Sequence, residues 1–136
     1  MSSFDEKKRT LLVTDDLITS TDDRVVDIFT KISHHRNLSV VYSTQNLFYK
    51  NKQTRTLSLN SHYIIRFKNA RDATLVANLA RQMYPCKSAF MIDVFKNATS
   101  APYGYLLIDL KQETDHKLRL TTGMFPQDVQ YVYLRK

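Results

Sequence analysis

Two short runs of this chain are apolar at consecutive positions rather than at alternate ones: Leu11-Leu12-Val13 within Thr10 to Thr14, and Val40-Val41-Tyr42 within Leu38 to Ser43. A half-exposed strand alternates apolar and polar side chains, so continuous runs of this length predict strands covered on both faces, as in a parallel sheet. Between them, Val25, Val26, Phe29 and Ile32 recur at helical spacing. Ser20-Thr21-Asp22-Asp23 matches the helix-start pattern [ST]-x-x-[DE], and its acids suit the positive end of a helix dipole. A helix over 21–33 is predicted.

The alternation continues. Tyr63 to Phe67 reads as a third strand. Arg71 to Tyr84 carries Leu75, Val76, Leu79, Ala80 and Met83 on one stripe and is stopped by Pro85. Phe90, Met91, Val94 and Phe95 predict another helix. Tyr103 to Leu110 and Leu118 to Thr122 read as strands of a hairpin joined through KQETDHK, and VQYVYLRK as an added strand or docking arm. The stretch from Leu47 to Asn60 is basic and has no clear period. Strands alternating with helices over 10–85 argue for an α/β layer with a largely parallel sheet. A polar tail at 1–9 and a single α/β domain at 10–136 follow from a length of 136 residues with no evident linker or repeat.

Composition narrows the partners. Net charge is +7, which suits a phosphate-rich partner such as nucleic acid, although a solvated basic surface has the same signature. Cys86 is the single cysteine, so no internal disulfide forms and a reducing, intracellular location is expected. No apolar run approaches the ~20 residues of a membrane span, and the first residues lack the apolar stretch of a signal peptide. A soluble chain without a membrane partner is expected. Glycine occurs only at 104 and 123, and neither is followed by lysine. A phosphate-binding loop G-x-x-x-x-G-K-[ST] needs such glycines to aim backbone N–H groups at one anion; the chain contains none.

Asp15 and Asp16 follow the first strand. Ligands of open parallel sheets bind beyond the carboxyl ends of the strands. One carboxylate there can hold Mg²⁺, a hard cation that keeps much of its water. The next can orient or deprotonate an attacking water. An acidic surface turn is the alternative. Gln45 follows the second strand, where its amide can donate to a terminal phosphate and accept from water, or simply end the strand.

Taken in order, LLVTDDL, VVDIFTKISHHRNLSVVYSTQNLF and SLNSHYIIRFKNARDATLVANLARQMYP resemble the C-terminal half of an FtsK–HerA-type P-loop ATPase. The similarity is to the DNA-packaging ATPases of Maverick/Polinton elements and related eukaryotic DNA viruses, relatives of the pox-type packaging ATPase, and spans about Thr10 to Phe125. It implies a three-layer RecA/ASCE-like P-loop NTPase fold, represented by its C-terminal half, with a C-terminal hairpin. It also implies ATP and Mg²⁺ as cofactors, a Walker B strand at 11–16 and a sensor at Gln45. Asp15 then positions the metal, Asp16 polarises water and Gln45 senses the γ-phosphate. Arg36, at the end of the first helix, is a candidate arginine finger acting on a neighbour's nucleotide. Arg71 is a rival for that role, and a cation soothing the helix dipole is the plain reading of Arg36. His34 and His35 lack the Cys or acid cluster that would make them metal ligands.

Lys50, Lys52 and Arg55, interleaved with Phe48 and Tyr49, suit a strip gripping a DNA backbone. They also suit a solvated loop. The implied partners are double-stranded DNA, further copies in a homo-oligomeric ring, and capsid proteins. The implied setting is the nucleus, a cytoplasmic viral factory or the virion. Three departures accompany the resemblance. The phosphate loop is missing from these residues, the second acid is Asp16 where the wider superfamily commonly has Glu, and the central phosphate-loop strand is lacking, which leaves edges unpaired. A fragment or one piece of a larger assembly is expected, with little ATPase activity of its own. The competing reading is a non-catalytic basic module that binds DNA or protein.

Overall fold

A computed structural model of the protein describes residues 8–15, 23–32, 37–45, 52–71 and 73–135. The fold is mixed α/β, with one small parallel sheet and one antiparallel sheet. The chain divides into two compact units, Met1–Asn60 and Ser61–Lys136.

In the first unit, β1 (Thr10–Asp15) pairs in parallel with β2 (Leu38–Ser43), from Thr10 opposite Leu38 to Asp15 opposite Ser43. The Thr10 N–H donates to the Asn37 carbonyl at 2.8 Å, and the Thr14 hydroxyl to the Val41 carbonyl at 3.3 Å. Leu38 is buried and Leu12, Val40 and Tyr42 are half-buried, all on one face. The other face is not covered: Leu11 is 62% exposed, Val13 61% and Val41 48%. The two-faced burial read from the sequence therefore applies to one face only, because among the described elements β1 and β2 pack chiefly on each other.

The helix read at 21–33 is present in its described part as α1 (Asp23–Asp27), which runs into a π-helical stretch, Ile28–Ile32. The Thr30 hydroxyl donates to the Val26 carbonyl at 2.7 Å, and Lys31 pairs with Asp27 at 2.7 Å. The helix-start residues Ser20, Thr21 and Asp22 lie outside the described residues. The stretch without a clear period holds a helix, α2 (Lys52–Asn60), packed on α1 and the π-helical stretch. Its buried face is narrow, made by Thr54 and Leu57 three residues apart. One leucine and one threonine are too little apolar signal to reveal a helical period.

The second unit is a four-stranded antiparallel sheet in the order β3 (Tyr63–Phe67), β4 (Tyr105–Asp109), β5 (Leu120–Thr122), β6 (Tyr131–Val132). Two helices, α3 (Ala73–Met83) and α4 (Ser88–Ala98), pack against each other, and α4 packs on β4 and β5. Both helices lie within two or three residues of the stripes read from the sequence, allowing for the usual uncertainty of helix ends. The core consists of Ile64, Leu75, Val76, Leu79, Ala80, Met91, Val94, Leu106, Ile108 and Leu120, all buried. Each of the larger ones, the Val, Leu, Ile and Met side chains, contributes roughly 1.5–3 kcal/mol relative to exposure.

The expected hairpin is present as β4–β5, and the tail does add a strand, β6. Its turn needs Gly123, whose φ is 76° and where a Cβ would overlap the Val129 carbonyl. Parallel pairing is confined, among the described residues, to β1 and β2. The third strand does not extend that sheet: β3 runs antiparallel to β4, reached only after α3 and α4. A largely apolar pentapeptide marks a strand but carries neither its direction nor its partner, so among the described residues antiparallel pairing stands beside the parallel pair. No helix among the described residues is long and apolar enough to cross a membrane.

Candidate functional site

Parallel pairing decides where the strand ends meet. Asp15 closes β1 directly opposite Ser43, which closes β2. Neighbouring strands lie about 4.8 Å apart, so the two residues are lateral neighbours. Thr44 and Gln45 continue from Ser43 at the same end. Asp15 and Gln45 are thus brought to the carboxyl ends of adjacent parallel strands, and both are exposed. Side chains alternate along a strand and stay in step across a parallel pair, which sets Asp15 and Ser43 on the same face. Ser43 is a polar oxygen beside the carboxylate that the sequence reading does not single out. Its position follows from the register alone.

Asp16, Arg36 and Lys50 lie outside the described residues, as do His34, His35, Phe48 and Tyr49. Among the described residues no group of three or more His, Cys, Asp or Glu is assembled for a metal ion. A lone carboxylate such as Asp15 can take a hard cation that keeps most of its own water.

Lys52 and Arg55 are exposed and sit three residues apart on α2, not on a loop. Positions i and i+3 are neighbours on a helix surface, so the two cations share one face. The carbonyl of Lys52 accepts the Thr56 hydroxyl at 2.9 Å, within the same helix. Arg71 is exposed in the connection before α3, and its N–H donates to the Asn69 side chain at 3.0 Å. Arg71 belongs to the second unit, while Asp15 and Gln45 belong to the first.

No protein-family model, curated protein or solved structure matches the chain.

Proposed function

We propose that the chain is the C-terminal part of an ATP-driven DNA translocase of the genome-packaging kind, carrying its Walker B and sensor region. The observation that supports this reading most is the parallel register of β1 and β2, which sets Asp15 and Gln45 at one rim of a shared sheet. Ligands of open α/β sheets lie at such rims.

In this reading Asp15 holds Mg²⁺ through oxygen, and the ion supplies charge to neutralise the phosphates of ATP. Asp16 accepts a proton from, or orients, the attacking water. The Gln45 amide donates to the terminal phosphate. Arg36 reaches a neighbouring copy's nucleotide in a homo-oligomeric ring. Lys50, Lys52 and Arg55 grip the backbone of double-stranded DNA without reading sequence, as phosphate contacts do. Phosphoryl transfer depends on positioning and electrostatic stabilisation. The 136 residues hold no phosphate-binding loop, so they turn over ATP slowly by themselves.

The test is a titration of the chain with a fluorescent ATP analogue, with and without Mg²⁺, for the wild type, Asp15→Asn and Gln45→Ala. Weak, Mg²⁺-dependent binding that Asp15→Asn abolishes is expected. Binding that is absent in all three, beside salt-sensitive binding of duplex DNA, would replace the nucleotide reading with that of a basic binding module, for which the net charge of +7 speaks.

A further inference from the structure

The loop after α4 closes in a tight turn, Ala101-Pro102-Tyr103-Gly104. The Gly104 N–H donates to the Ala101 carbonyl at 3.0 Å. Proline suits the second position of such a turn. The third position has φ of 60°, where turns with this sign ordinarily place Gly or Asn. Here it is tyrosine, a residue whose Cβ disfavours the left-handed region. Its ring gains nothing by burial, since Tyr103 is 94% exposed. Gly104 completes the turn: a Cβ there would come within 2.6 Å of the Ala98 carbonyl at the end of α4. The backbone is thus held against the helix end while an aromatic ring projects into solvent.

An open cavity of about 540 Å³ adjoins this turn, lined by Phe67, Lys68 and residues 99–104. That volume is within the range of small-ligand sites. Phe67 is 55% exposed, and its ring is braced by Tyr105 at a centroid distance of 5.8 Å. Lys68 is exposed and is the only charged residue of the lining; no carboxylate accompanies it. Two accessible aromatic rings with one unopposed ammonium suit a flat heteroaromatic group that carries a negative charge. A basic peptide would meet Lys68 with no acid to pair with.

The geometry points to a subsite for one unstacked nucleotide of a single-stranded nucleic acid, its base against Tyr103 and Phe67 and its phosphate at Lys68. Base–aromatic stacking tolerates every base because each has a π-face. A duplex keeps its bases stacked on one another and offers none to these rings. The site lies wholly within Ser61–Lys136 and is independent of the nucleotide reading of β1 and β2.

The whole chain is titrated into a fluorescein-labelled thymidine oligonucleotide, read by anisotropy at several salt concentrations. Tyr103→Asn removes the ring and tolerates the left-handed backbone, and with Phe67→Leu it is expected to weaken binding about five-fold or more. Lys68→Gln is expected to lower the slope of log affinity against log salt by about 0.7. Lys87→Gln, the same charge change in the α3–α4 connection, is expected to leave the loss on Tyr103→Asn intact. Binding of a duplex of equal length should not respond to Tyr103→Asn. The assignment is overturned if the wild type does not bind the strand, or if Tyr103→Asn, folded by circular dichroism, binds it like the wild type. It is equally overturned if free thymidine monophosphate competes as well as the strand, nucleotide for nucleotide.

Discussion

Arg119 ties the end of one strand to the start of the next. Its Nη1 donates to the carbonyls of Asp109 and Lys111, both at 3.0 Å, while the Asp109 N–H donates back to the Arg119 carbonyl at 2.8 Å. The guanidinium is half-buried, so the two carbonyls would not recover full hydration without it. Nearby, the Asp115 carboxylate accepts the Lys117 N–H at 2.8 Å and caps the short 3₁₀ turn His116–Leu118. That hydrogen bond first, and the nearby Lys117 and Arg119 cations after it, hold the Asp115 carboxyl below its ordinary range. Hydrogen bonds from a charged donor contribute about 1.5–3 kcal/mol. Arg119→Ala should therefore lower stability by about 2 kcal/mol, seen as a lower urea midpoint at constant slope. Arg119→Lys should recover part of the loss, because an ammonium lacks the planar fork. An unchanged midpoint in the alanine variant would show the clamp to be idle. Nothing in the local sequence KLRL marks Arg119 for this role; it arises where a strand end and a turn meet.

At the scale of the element, β3 shows how far a pattern reaches. Its residues alternate: Ile64 is 7% exposed, while Tyr63, Ile65 and Phe67 are 50%, 41% and 55% exposed. Ile64 lies opposite Ile108 and Ile65 opposite Leu107. Truncating a buried isoleucine costs about 2–5 kcal/mol. Ile64→Ala should fall in that range and Ile65→Ala should cost about 1 kcal/mol or less, although the two residues are identical neighbours. Thermal melts of both variants decide it, and equal losses would mean that the face assignment of β3 is wrong. The sequence YIIRF announces a strand and could not announce this asymmetry, since four of its five side chains are apolar. Helices α3 and α4 were more legible, because leucine, valine and methionine spaced at helical intervals draw one face regardless of what lies opposite. Helix α2 was not legible, for want of apolar residues.

For the whole molecule, the distribution of buried apolar side chains matters most. Among the described residues, Leu38 and Leu57 are those buried in Met1–Asn60. Ser61–Lys136 holds the rest, with Leu106, Ile108, Leu120 and Met91 at 1% exposure or less. Local opening is easiest where few apolar contacts must be broken. The amides of β4 and β5 should thus exchange with deuterium slowest, and those of β1 and β2 measurably faster. Slower exchange in β1 than in β4 would contradict this ordering. Among the described residues, the Asp15–Gln45 rim belongs to the unit with fewer buried apolar side chains, and the aromatic cavity to the other.

The sequence by itself determined most element types, with α2 and the π-helical stretch as exceptions, together with the excess of positive charge, the lack of a phosphate loop within these 136 residues and the presence of acids after β1, because these depend on residue identity and on spacing over a few positions. Tertiary structure alone decided that β1 and β2 run in parallel register with Asp15 beside Ser43, that β3 joins an antiparallel sheet, and that Tyr103, Phe67 and Lys68 share one cavity. Strand partners and loop contacts are chosen between residues far apart in the chain, by packing and hydrogen-bond satisfaction, and no local period encodes that choice.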